Sequence, residues 1–207
     1  MLESLLLVSA LSLDAFVASI AYGTNKIKIP FLSVTIINLI CSSFLAISLL
    51  FGSIVKKIIP ENVTIIISFL ILMLLGVYYL FESIVKTYLD KKSNSDKKIK
   101  FKLFNLRFII DIYVDETKAD IDHSKNLSSK EALYLAVALS LDSLAVGFGS
   151  SLGKINYAQV LLLSLITDMV AVLAGLFVGG KFVEKSKVNI SWLSGIILMT
   201  LAILKIV

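Results

Sequence analysis

Three aspartates stand where an aspartate is costly. Asp14, Asp142 and Asp168 each interrupt a long apolar stretch. Two of them share a phrase: Ala10-Leu11-Ser12-Leu13-Asp14 reappears as Ala138-Leu139-Ser140-Leu141-Asp142. A carboxylate at the centre of a membrane helix costs about 3 kcal/mol or more, so it persists mainly where it functions. A matched pair in two related halves suggests a transporter whose site lies between them. Asn38 and Ser42, in the region corresponding to Asp168, add neutral oxygens, and Ser12, Ser140 and Ser143 flank the pair. With no thiolate or imidazole expected nearby, this set suits hard cations such as Mg²⁺, Ca²⁺ and Mn²⁺; zinc and copper prefer nitrogen or sulfur. Without a cation, three close carboxylates cannot all stay charged in a low dielectric, so cation-for-proton exchange is the expected chemistry. The plainer alternative is that each aspartate bonds a serine or backbone group and only fixes packing. The duplication argues against that for Asp14 and Asp142, whereas the repeat mate of Asp168 is only a serine.

The elements that must position these groups are membrane helices. The 207 residues are 57% hydrophobic, with a mean hydropathy of +0.93. Crossing about 30 Å of hydrocarbon takes about 20 helical residues. Six stretches qualify: Ser4–Tyr22, Phe31–Val55, Val63–Val85, Glu131–Ser150, Tyr157–Val178 and Val188–Ile206. The first has Glu3 where a signal peptide would be basic, so it reads as a span. The single cysteine, Cys41, precludes an internal disulfide and reads as a small packing residue.

The fold class expected is an all-α integral membrane protein, six transmembrane helices arranged as two inverted three-helix repeats. Residues 1–86 form the first repeat, 87–130 a loop and 131–207 the second. Small residues mark the packing stripes: Ala10, Asp14, Ala18 and Ala21 in the first span, and Ser164, Asp168, Ala171, Gly175 and Gly179 in the fifth. Sixteen of the 20 Lys and Arg fall in Asn25–Pro30, Lys86–Lys130 and Lys181–Lys187. The net charge of +5 therefore reads as membrane orientation rather than nucleic-acid binding, with the 87–130 loop cytoplasmic and both termini outside.

The loop carries a second pattern. From Asp120 to Glu131, Asp120, Asp122, Ser124 and Ser128 fall at positions 1, 3, 5 and 9 and Glu131 at position 12, the spacing of an EF-hand calcium loop. Position 6 should be glycine and is Lys125. The alternative is a capping box, Ser128 with Glu131, that starts the fourth span; the two can coexist. His123 reads as a solvated loop residue. Upstream, Lys91–Lys98 reads as a flexible linker, and Lys97–Val114 as an amphipathic stretch suited to the membrane surface.

The phrases Ser12-Leu13-Asp14-Ala15-Phe16 and Ser140-Leu141-Asp142-Ser143-Leu144-Ala145-Val146-Gly147 resemble the paired Asp motifs of the manganese efflux pump (MntP) family. Lys118-Ala119-Asp120-Ile121-Asp122-His123-Ser124, with Glu131-Ala132 beyond it, resembles that family's sporulation-associated YtaF-type branch. The resemblance implies six spans, functional aspartates at Asp14 and Asp142, and export of Mn²⁺ across the cell membrane. It implies no prosthetic group; the metal is cargo, with protons as the candidate coupling ion. Unlike the pump branch, this chain has no carboxylate in span two and has Asp168 in span five. The alternative function is a sporulation-associated membrane scaffold without transport activity. An enzyme is not expected: no glycine-rich phosphate loop with its lysine is present, and nothing beyond the aspartate pair suggests an intramembrane hydrolase.

Overall fold

The computed structural model describes residues 2–93, 109, 111–113, 115–153, 155–182 and 191–204. Six long helices dominate: α1 (Leu2–Thr24), α2 (Phe31–Ile58), α3 (Glu61–Ser93), α4 (Ser129–Ser151), α5 (Tyr157–Phe182) and α6 (Ser191–Leu204). A short 3₁₀ turn, Glu116–Ala119, precedes α4. Pairing between extended segments, among the described residues, is limited to an isolated bridge from Lys28 to Asn126.

Local chemistry explains the boundaries. The two prolines, Pro30 and Pro60, immediately precede α2 and α3, where a missing N–H costs nothing. Ser128 and Glu131 form the expected capping box at the start of α4, each side chain satisfying the other's backbone N–H. Lys56 and Lys57 occupy the last turn of α2, where cations complement the helix dipole.

Among the described residues, four helices are long and apolar enough to cross a membrane: Glu3–Thr24, Phe31–Ile58, Ser129–Ser151 and Tyr157–Lys181. Asn62–Tyr78 is a shorter apolar segment within α3. Their surfaces are those of a membrane protein. Leu39, Leu50, Phe51, Leu74, Leu162 and Ile166 are exposed, while Ser33, Asn38, Ser42 and Ser48 of α2 are buried. In lipid the apolar side faces out and polar groups must find partners inside.

The helices pair as α1 with α5, α2 with α4 and α3 with α6. Glycine makes the first pairing close. Gly175 lies against Phe16 and Ser19, and Gly179 against Ile20 and Gly23, backbone to backbone. The numbers on both helices rise together, so α1 and α5 run parallel. Similarly Ser33 Oγ donates to the Leu127 carbonyl just before α4, and Gly52 abuts Ser151 at its far end. α2 and α4 are therefore parallel, and α4 runs opposite to α1.

Two apolar clusters fill the bundle. One contains Leu7, Leu11, Leu45, Leu49 and Val146; the other contains Tyr22, Ile27, Ile112, Leu127, Leu135 and Ala138. Asp14 and Asp142 sit at the junction between them, with Leu11 and Ala138 one turn away on either helix.

Candidate functional site

At that junction the four helices of membrane length, α1, α2, α4 and α5, line a cavity of about 30 Å³, room for a small ion or a water molecule. α1 contributes Leu11, Asp14 and Ala15, and α4 contributes Leu139, Asp142 and Ser143. These are equivalent positions in the two copies, the last of each lying one residue beyond the repeated phrase. α2 adds Ile37, Asn38 and Cys41; α5 adds Asp168 and Val172. Four of the five residues expected in the membrane site, Asp14, Asn38, Asp142 and Asp168, thus line one cavity. Their spacing along each helix puts them on the inward face, because residues three and four apart share a side.

Ser42 does not line the cavity. Its hydroxyl stands 3.5 Å from Oδ1 of Asn38, a long contact behind the wall. Asn38 in turn donates Nδ2–H to the Leu165 carbonyl of α5 at 2.8 Å. Asn38 therefore braces α2 against α5, and Ser42 sits behind it. Oδ1 of Asp168 is buried without a hydrogen-bond partner. A buried carboxylate oxygen left so is expensive, and a bound cation is one group that would satisfy it.

Two features were not legible in the residues' spacing. Cys41, read as a packing residue, is part of the cavity wall, so a sulfur accompanies the oxygens; its Sγ lies 3.7 Å from the Ala136 carbonyl. The second is Tyr113, whose hydroxyl lies 3.1 Å from Oδ1 of Asp142 and 3.1 Å from the Tyr78 hydroxyl of α3. Tyr113 belongs to the end of the stretch expected at the membrane surface. Residues 109 and 111–113 are helical, and Ile112 is fully buried among Tyr22, Leu127 and Leu135. The rest of that stretch lies outside the described residues, as does the linker beyond Ser93, where α3 ends. No periodicity marks a tyrosine beside a basic segment as a partner for a membrane carboxylate.

The loop before α4 folds onto the same end of the bundle. Tyr22 Oη donates to the Glu116 carbonyl at 2.5 Å. Lys28 and the segment Lys125–Leu127 exchange backbone hydrogen bonds at 2.9 Å. Here Asp120, Asp122 and Glu131 come together, each offering one carboxylate oxygen within 4.8 Å of the others. Ser124 is held beside them by its N–H to Asp122 Oδ1, at 2.9 Å. Hydrogen bonds from Ser124 keep the Asp122 carboxyl below the usual carboxylate range.

Residues 60–207 match the family described as "Putative manganese efflux pump". Over 215 aligned residues the chain is 31% identical to "Probable sporulation protein YtaF" of Bacillus subtilis (strain 168), covering 100% of this chain and 99% of that protein. No solved structure matches. The match over most of the sequence, and the full-length relative, show that this chain belongs to the MntP family of membrane proteins.

Proposed function

We propose that the protein is a secondary transporter exporting a divalent metal cation, manganese foremost, with Asp14, Asp142 and Asp168 as its carboxylate ligands. The observation that carries this reading is that four helices bring three aspartates and Asn38 to one cavity. Hard oxygen donors suit Mn²⁺, and the Cys41 sulfur in the wall adds a softer neighbour that Mg²⁺ or Ca²⁺ would not favour. The family's description supports manganese and efflux.

The transport cycle follows from the halves. In this reading the protein has six spans in two inverted repeats. Exchanging α1 with α4, α2 with α5 and α3 with α6 turns the α1–α5 pair into the α4–α2 pair and leaves α3–α6 unchanged, so the observed pairing is preserved. The opposed directions of α1 and α4 support the same symmetry. Rocking one half against the other would open the carboxylates to each side in turn. Protons are the counter-ion, because the emptied carboxylates need charge compensation. We place the 87–130 loop in the cytoplasm and both termini outside, following the basic residues.

The test is Mn²⁺ binding to purified protein by calorimetry, with Mg²⁺, Ca²⁺ and Zn²⁺ as competitors, followed by Mn²⁺ flux in liposomes. Asp14→Asn and Asp142→Asn should each abolish flux while leaving the protein folded and in the membrane. Flux retained in both variants would refute the site. Absence of Mn²⁺ binding by the wild type would shift weight to a membrane scaffold.

A further inference from the structure

The geometry points to a second cation site, outside the membrane cavity, formed by Asp120, Asp122 and Glu131 and built for a hard divalent cation of calcium size. Two independent observations carry it. The first is the carboxylate cluster, with one oxygen from each residue within 4.8 Å of the others. Oxygens bound to one Ca²⁺ at 2.3–2.6 Å lie at most about 5 Å apart, so these side chains can share an ion with little movement. The second is Asp120. It is only 4% exposed, and its Oδ1 is buried with no hydrogen-bond partner. Its other oxygen accepts the Lys125 N–H at 3.2 Å, which fixes the carboxylate and leaves Oδ1 for a ligand. A buried carboxylate oxygen with nothing to accept costs free energy that a cation would repay.

The neighbouring groups prepare the same place. Glu131 is 5% exposed. Its Oε1 accepts the Ile121 N–H at 2.9 Å, and its Oε2 accepts the Ser128 N–H at 2.9 Å. Oε2 also accepts the Ser128 hydroxyl at 2.8 Å, so the cap occupies that oxygen and leaves Oε1 with a second acceptor direction for a ligand. Lys125 stands at the sixth position, where the calcium-loop pattern has glycine, and it adopts the left-handed conformation that glycine would supply, with φ 59°. Asp122 is exposed and completes the cluster from the solvent side.

This site is distinct from the cargo cavity. Glu131 and Asp142 are eleven residues apart on α4, about 16 Å along the axis. Both nevertheless share that helix, and the turn before the site is tied to α1 through Tyr22. A cation here would stiffen the junction from which both repeated phrases are held.

The experiment uses the full chain in detergent, with CaCl₂ as the probe. Thermal unfolding and calorimetry are compared for wild type, Asp122→Asn and Asp142→Asn. Calcium should raise the melting temperature of wild type and of Asp142→Asn, with a Kd of about 10⁻⁴–10⁻³ M. Asp122→Asn should bind about tenfold more weakly or worse. Because Asp122 is exposed, this change leaves the core intact; Asp120→Asn, which keeps an acceptor for the Lys125 N–H, repeats the test from the buried side. Equal calcium response in wild type and Asp122→Asn overturns the proposal, as does no response in wild type at about 10 mM. Loss of the response in Asp142→Asn alone would assign it to the membrane cavity and also overturn the proposal. Failure of Mn²⁺ flux in liposomes bears on the cargo cavity and leaves this result unaffected.

Discussion

Replacing Gly175 by alanine should part α1 from α5 and weaken Mn²⁺ binding at the proposed site. The added Cβ would stand 2.5 Å from the Phe16 carbonyl oxygen, 2.7 Å from Ser19 Cβ and 3.3 Å from Ile20 N. Phe16 and Ile20 are one turn apart, so their backbone groups are the pair that a regular helix bonds together, and neither can turn aside. Ordinary contact begins near 3.4 Å, so the axes must separate by about 0.9 Å or the helices must bend. Asp14 lies two residues before Phe16, and Asp168 lies two turns before Gly175. Ligands tolerate misplacement of about 0.5 Å, so Mn²⁺ affinity should fall about tenfold or more. Gly180 is the internal control: a Cβ there meets nothing within 4 Å. Both changes gain the same helix propensity, about 1 kcal/mol, so the difference between them isolates the clash, about 1–3 kcal/mol. Melting temperature in detergent and Mn²⁺ calorimetry should both separate Gly175→Ala from Gly180→Ala. If the two variants behave alike in both assays, close backbone contact between α1 and α5 does not hold the cavity.

Other consequences follow from single contacts. Asp168→Asn removes a carboxylate whose buried Oδ1 has no partner, so the metal-free protein should melt higher while Mn²⁺ binds more weakly; a lower melting temperature without metal would contradict this. Tyr113→Phe removes a donor that would compete with a bound cation for Asp142 Oδ1, and Mn²⁺ affinity should rise by about tenfold or more, since a hydrogen bond to a charged group is worth about 1.5–3 kcal/mol. A fall in affinity would instead make the tyrosine part of the binding set. Ser128→Ala deletes the α4 cap and should cost about 1 kcal/mol in thermal unfolding, with Ser129→Ala as the silent neighbour. Lys125→Gly relieves a left-handed lysine and should stabilise the calcium-free protein by up to about 1 kcal/mol in thermal unfolding; a lower melting temperature would mean that the native turn does not hold this backbone conformation.

Much of this molecule was legible in one dimension, because the bilayer imposes strong local rules. A helix that crosses hydrocarbon must be long and apolar, so the spans around Asp14, Asn38, Asp142 and Asp168 could be read from hydropathy, and each observed helix begins within a few residues of its expected start. The capping box at Ser128 is equally local. The 3.6-residue period assigned Gly175 and Gly179 to a packing face because small residues repeat along it. What a period cannot say is which helix lies against that face. Only the folded bundle joined α5 to α1 and α2 to α4, and so converted aspartates far apart in sequence into one cavity. The same step brought Cys41 into the wall, left Ser42 behind Asn38 and set Tyr113 on Asp142. It also buried Asp120, whose spacing in the chain reads only as a degenerate loop. Side-chain type and helical phase are properties of a segment, whereas burial, partners and the closing of a ligand set depend on neighbours that the segment does not specify.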